Sequence, residues 1–483
     1  MSAHRAAARV LVVLLTVTVA GARAALAHPR LLHTRPTAGS TVAAADATEL
    51  RLTFNEAPEP APSTVRLTGP SGQVVPLGAL RAASGDPNSL VTELPARLPP
   101  GQYTVAWHVA GDDGHMVAGS FAFVIGLPGG TAPASVSPLP SSPDPVHATA
   151  PVAEPGAVDA SQGALENPEY ITARWLMYAA LMALVGVAAF RFAVLGRAQR
   201  ARPLANGLEY SAARRAARLG LIAGLLLLGS LALRLVAQRA SMAQANGPGP
   251  ALWDVILTRT TWGHAWLVQL GGAIGVALLC VGLARSNRDG ESPRLAWVAF
   301  AVLVIGLSLT PAFSGHAIAS GRLTVLAVAA DGVHVLAAGA WVGTLLAMLV
   351  AGLPSAYELE SGIRADAMAR IVAAFSPIAL ASAATLLVTG LFAAWLHIGS
   401  FAALWQSGYG RTLLIKLAVL AGVVATGAFN WKWVQPGLAH AGPRGERAAA
   451  SLRISGRVEL AVGALVVLVT AILVALPTPH DLP

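Results

Sequence analysis

The chain is 483 residues long, 55% hydrophobic and only 12% charged, with a net charge of +9. That balance excludes a soluble globular protein of this size and places most of the chain in lipid. A single cysteine, Cys280, excludes an internal disulfide and any paired-cysteine metal or redox site within one chain.

Residues 1–27 read as a secretory signal peptide. Arg5 and Arg9 form a positive n-region, "VLVVLLTVTVA" is the apolar core, and "ALA" before His28 fits the small-x-small cleavage rule. A second fit, "ARA" ending at Ala24, would leave three residues ahead of His28. Cleavage before His28 exposes an α-amine and an imidazole on one residue, two nitrogens suited to Cu(II). Pro29 follows and has no backbone N–H, so no deprotonated amide competes for the ion beyond residue one.

Residues 28–126 predict an all-β, Ig-like sandwich. "ELRLTFN" alternates Leu50, Leu52 and Phe54 with polar neighbours, "QYTVAWHV" alternates Tyr103, Val105 and Trp107, and "GSFAFVI" alternates Phe121, Phe123 and Ile125. Gly, Pro, Asp and Ser clusters separate these runs. Within "GDDGHMVAG", Asp113 and His115 stand two apart, which on an extended strand aims both at one face, a metal-ligand geometry. The same tripeptide is also a common turn sequence. His33 and His108 are auxiliary ligand candidates or surface histidines.

The N-terminal histidine, "TRPTAGSTV", "LRLTFNEAPEP" and "DGHMVAGSFAFVI" together resemble CopC, the periplasmic copper-binding β-sandwich family. That resemblance implies Cu(II) held by His28, Asp113 and His115. Met116 is the domain's single methionine, which argues against a separate methionine-rich Cu(I) site there.

Residues 127–168 are rich in Pro, Ala and Ser without periodicity and predict a flexible tether containing His147. A membrane domain over 169–478 and an external tail at 479–483 follow. Eight apolar runs are long enough to cross a bilayer, which takes about 20 residues: 172–196, 217–238, 261–284, 295–313, 323–350, 371–396, 412–433 and 455–476. With the β domain exported, both termini lie outside. Fifteen basic residues, among them Arg197, Arg214, Arg285, Arg364 and Arg447, fall on the cytoplasmic segments, against five on the outer ones (Arg174, Arg239, Arg259, Arg322 and Arg411). This is the positive-inside pattern, so the basic charge is a topology signal and gives no reason to invoke nucleic acid.

On that topology His264, His316, His334, His397 and His480 lie on the outer side or in the outer half of the membrane, and His440 lies inside. Asp331 and His334 are one helical turn apart within an apolar run, a depth at which ionisable groups mark an ion or proton path or tie helices together. Gly339 and Gly343 form a small-xxx-small packing patch. His264 and His397 sit among Trp262, Trp266 and Trp395, read as an outer aromatic belt. Met182, Met348 and Cys280 are soft groups suited to passing Cu(I) or to filling the core. Lys416 and Glu459 are further intramembrane charges, the lysine placed where snorkelling explains it.

"FSGHAIA", "HVLAAGAWVGTLL", "AFSPIALASAATLLVTGL", "SGYGRTLLIKLAV" and "SGRVELAVGALVVLVTAILVALPTP" resemble CopD, the polytopic partner of CopC. The resemblance implies a fused CopC–CopD chain in the cytoplasmic membrane that binds copper outside and moves it inward without enzymatic turnover. His316 and His334 are the implied membrane ligands, and Asp331 is nominated by spacing. Copper ions, the lipid bilayer and copper chaperones are the expected partners, with Cu(II) in the sandwich and Cu(I) in the membrane domain. The competing expectation is a membrane redox protein, haem- or copper-dependent, using the same histidines.

Overall fold

The computed structural model describes residues 29–111, 116–126, 168–201, 204, 207–246, 251–286, 293–313, 324–398, 400–438 and 443–476. By contacts the chain falls into two units, the first of helices and the second holding the β strands together with residues 238–264.

The β unit contains β1 (Leu31–Arg35), β2 (Thr41–Ala43), β3 (Glu49–Phe54), β4 (Glu59–Thr68), β5 (Val74–Val75), β6 (Arg81–Ala83), β7 (Asp86–Glu93), β8 (Gly101–Ala110) and β9 (Met116–Gly126). One sheet runs β1-β3-β7-β6 and the other β2-β9-β8-β4-β5. All pairs are antiparallel except β2 with β9. Period-two alternation builds the core as expected: Leu50, Leu52 and Phe54 of β3 are buried and their neighbours are not. Tyr103, Val105, Trp107 and Val109 of β8 and Phe121, Phe123 and Ile125 of β9 face them. Phe54 and Trp107 meet edge-on across the sheets at 5.5 Å. A Cβ at Gly119 would run into the Trp107 ring, so that position takes glycine to admit the indole.

The helical unit is built from α1 (Pro168–Ala201), α2 (Leu208–Asn246), α3 (Ala251–Thr258), α4 (Thr261–Ser286), α5 (Arg294–Leu309), α6 (Val325–Tyr357), α7 (Ser361–Ile398), α8 (Ala403–Gln406), α9 (Gly408–Val434) and α10 (Pro443–Leu473). By contacts the end of α2 from Gln238, all of α3 and the first residues of α4 up to His264 group with the β unit and not with the remaining helices. Among the described residues seven helices are long and apolar enough to span a bilayer: α1, α2, α4, α6, α7, α9 and α10. The fourth expected run is shorter than a typical span. Its helix has 16 residues and passes at Thr310 into a 3₁₀ turn ending at Phe313, where Pro311 cannot continue the ladder. By rise, about 24 Å of α-helix plus about 8 Å of 3₁₀ turn still matches a hydrocarbon core.

Packing partners give the direction of each helix. Gly220 and Gly224 of α2 face Cys280 and Ala277 of α4, and Gly272 and Gly275 of α4 face Leu307 and Leu303 of α5, so both pairs run antiparallel. Val185, Gly186 and Phe190 of α1 face Gly339, Gly343 and Gly352 of α6, so α1 and α6 run parallel. With the shorter α5 between α4 and α6, the seven long apolar helices make this a multi-pass membrane protein. The α1–α6 crossing explains Gly339 and Gly343: a Cβ at Gly343 would strike the Met182 carbonyl, and one at Gly186 would strike the Gly343 backbone. The Arg234 guanidinium donates to Gln269 Oε1 at 3.1 Å and Gln269 Nε2 to Thr310 Oγ1 at 2.6 Å, tying α2, α4 and the end of α5 together.

Candidate metal centre

His28, Asp113, His115 and His316 lie outside the described residues, as do His147, His440 and His480. The strands that flank the first three are described, and their register constrains the site. β1 pairs with β3 through Leu31 and Phe54, so the chain entering β1 arrives where β3 ends. Arg30 is fixed there, its N–H donating to Asn55 Oδ1 at 2.6 Å and its carbonyl accepting from Asn55 N at 3.1 Å. β4 begins at Glu59 opposite Ala110, the last residue of β8, and Ala110 pairs with Met116, the first of β9. The N-terminal entry to β1 and the connection holding Asp113 and His115 are therefore at one end of the sandwich. β9 starts one residue after His115, so Asp113 and His115 precede the described strand.

The same end carries a group that sequence reading missed. Glu56, in the β3–β4 connection, is 4% exposed, unusual for a carboxylate. Its signal is an acidic residue two positions after a strand-ending Phe, which is indistinguishable from a solvated turn. Glu59, also buried, accepts from the Thr261 backbone N–H at the start of α4. His33 is exposed on β1 and His108 half-buried on the outer face of β8.

In the membrane, α6, α7 and α9 bring together the second group. His334 is about 14 Å into α6 from Val325 by helix rise, Thr389 about 14 Å into α7 from Ile398, and Lys416 about 12 Å into α9 from Gly408. α7 runs antiparallel to α6, since Gly390 lies against His334 and Ile371 against Gly352. α6 and α9 both oppose α10, so the three side chains share one level. Thr389 Oγ1 donates its single hydrogen to the Thr385 carbonyl at 2.7 Å. It therefore accepts from His334 Nδ1 at 2.8 Å. That chain assigns the imidazole proton to Nδ1 and leaves the Nε2 lone pair for a metal or a proton.

Asp331, one turn before His334, and His334 itself are both within electrostatic reach of the Lys416 ammonium, and Asp331 is within reach of Tyr178 and Tyr409. Lys416 is half-buried, at the level of this acid. Among the described residues no three His, Cys, Asp or Glu side chains converge as a metal cluster. Two aromatic-belt assignments are also corrected: Trp262 and Trp266 are buried, the latter donating to the Leu231 carbonyl at 3.0 Å, and Trp395 alone of the three is exposed. His264 bonds locally to the Thr258 carbonyl at 3.1 Å and His397 packs on Tyr409 at 6.4 Å. Cys280 is buried against Gly220 of α2, and Met182 and Met348 lie on α1 and α6, so the three soft groups do not form one site.

Comparison with known proteins gives three family matches. The model described as CopC domain covers residues 31–126, the copper resistance protein D-like N-terminal domain covers 165–325, and copper resistance protein D covers 369–473. The chain is 24% identical over 482 residues to the copper transport protein CutJ of Bacillus subtilis, covering 97% of this chain and 78% of that one. It is 28% identical over 314 residues to copper resistance protein D of Pseudomonas syringae pv. tomato, covering 62% and 94%. It is 32% identical over 105 residues to copper resistance protein C of Escherichia coli, covering 21% and 83%.

Proposed function

The chain belongs to the copper resistance family in which a CopC domain is fused to a CopD domain, and from that premise we propose that it captures copper at the outer face of the cytoplasmic membrane and carries it inward. In this reading residues 1–27 are removed, 28–126 form the extracytoplasmic capture domain, 127–168 tether it, and 169–478 form the carrier, with 479–483 outside. Cu(II) is taken by the His28 amine and imidazole with Asp113 and His115. Glu56, at the same end of the sandwich, supplies a further carboxylate. The ion then passes to His334 and His316. In sequence His316 falls between α5 and α6, ahead of the helix that carries His334. Asp331 and Lys416 set the local charge. Copper chaperones are the soluble partners, and Cu(I) is the form carried through the membrane.

The observation that carries this reading is the His334–Thr389–Thr385 chain, which holds one imidazole in a fixed tautomer with Nε2 available. Among the described residues Nδ1 alone is engaged. The test is total copper in cells grown in limiting copper with and without the gene. The reading requires more copper with the gene, and equal or lower content overturns it.

A further inference from the structure

Glu459 of α10 lies away from the described histidines, at the level of Trp341, seven residues beyond His334 on α6. It stands nine residues into the span from Ala450, about 14 Å by helix rise. It is 4% exposed, and two neutral donors hold it: Trp341 Nε1 reaches Oε1 at 3.2 Å and Asn430 Nδ2 reaches Oε2 at 3.3 Å. Both donors sit in π-helical turns, Trp341 in Gly339–Gly343 of α6 and Asn430 in Asn430–Val434 of α9. Such turns are rare and concentrate at functional sites. Among the described residues the carboxyl makes no ion pair. On the helices packed around it, Lys432 is exposed and stacked on Trp433, Arg453 lies over the Tyr357 ring, and Arg457 is exposed.

A lipid-embedded carboxylate with no cation beside it is costly, and two neutral hydrogen bonds offset that cost only in part. A proton removes it. The pocket also contains an acceptor for the protonated form. Asn430 Oδ1 is buried and, among the described residues, makes no hydrogen bond. Turning the amide over exchanges Nδ2 for Oδ1 at Glu459, so one side chain donates to the carboxylate or accepts from the carboxylic acid.

We propose that Glu459 is an intramembrane proton-binding site, with Asn430 as the switch that accommodates both of its states. A proton from the aqueous phase bonds to Oε2 and the carboxylate becomes neutral. Its O–H then donates to Asn430 Oδ1, and release returns the proton and the Nδ2 contact. The inference is independent of copper binding at His334.

The test uses the full-length protein in phospholipid vesicles and infrared difference spectra between acidic and alkaline buffer, read in the carboxylic C=O region. Wild type shows a protonated-carboxyl band that grows on acidification. Glu459→Gln loses it and Asp331→Asn keeps it. Should the Gln variant fail to insert, wild type labelled with ¹³C-glutamate shifts the band whereas ¹³C-aspartate leaves it in place. The proposal is overturned if no carboxyl band responds to pH, if the band survives in Glu459→Gln or moves with the aspartate label, or if sodium ions displace it at constant pH.

Discussion

Replacing Thr389 by Val keeps the branched shape between α6 and α7 and removes one oxygen. That oxygen accepts from His334 Nδ1 at 2.8 Å, because its own hydrogen is committed to Thr385. Its loss leaves a half-buried N–H unsatisfied, at a cost of about 1–3 kcal/mol, or lets the ring turn and present the wrong nitrogen. Partners that orient a ligating histidine typically contribute about 10–100-fold in metal affinity. That range is about 1.4–2.8 kcal/mol and agrees with the hydrogen-bond cost. In copper uptake by reconstituted protein, Thr389→Val raises the half-saturating copper concentration by about 10–100-fold. Thr389→Ser keeps the hydroxyl and stays near wild type. Half-saturation unchanged in the Val variant, or equal loss in both, refutes the role given to His334 Nε2.

Adding one residue before His28 in the secreted domain separates amine from imidazole and weakens Cu(II) binding sharply in a competition titration. Equal affinity would remove the N-terminal half of the soluble site. Gly119→Ala drives a methyl into Trp107 and, as overpacking, lowers the sandwich's unfolding free energy by about 1–3 kcal/mol; an unchanged denaturation midpoint would contradict that packing. Residues 477–483 react with an impermeant label in intact cells, as eight crossings from an external N-terminal domain require. Protection of that tail would mean an odd number of crossings.

Where burial follows a local period, the sequence was sufficient. The alternation in "ELRLTFN" reappears as Leu50, Leu52 and Phe54 buried in β3. The long apolar runs reappear as spans, and only the run interrupted by Pro311 is shortened. What escaped depends on contacts between distant segments. Thr389 looks like any helical threonine bonding back four residues, and only the α6–α7 contact makes it a partner of His334. Lys416 sits near the start of its apolar run, where an interfacial position is the simplest reading, and only the helix packing brings it within electrostatic reach of Asp331. Trp262 and Trp266 have belt-like spacing, and their burial is decided by neighbouring segments. Glu56 and Glu459 read as ordinary acids, because nothing local tells a buried carboxylate from a solvated one.

The central claim, movement of copper through the outer-half histidine, is tested most directly with purified full-length protein in sealed vesicles, measuring luminal copper after external copper is added. Wild type accumulates luminal copper over protein-free vesicles, and His334→Ala, inserted to the same level, falls to the protein-free rate. Accumulation at the wild-type rate in His334→Ala would reduce that histidine to a packing residue. No accumulation by wild type in either vesicle orientation would contradict copper transport itself.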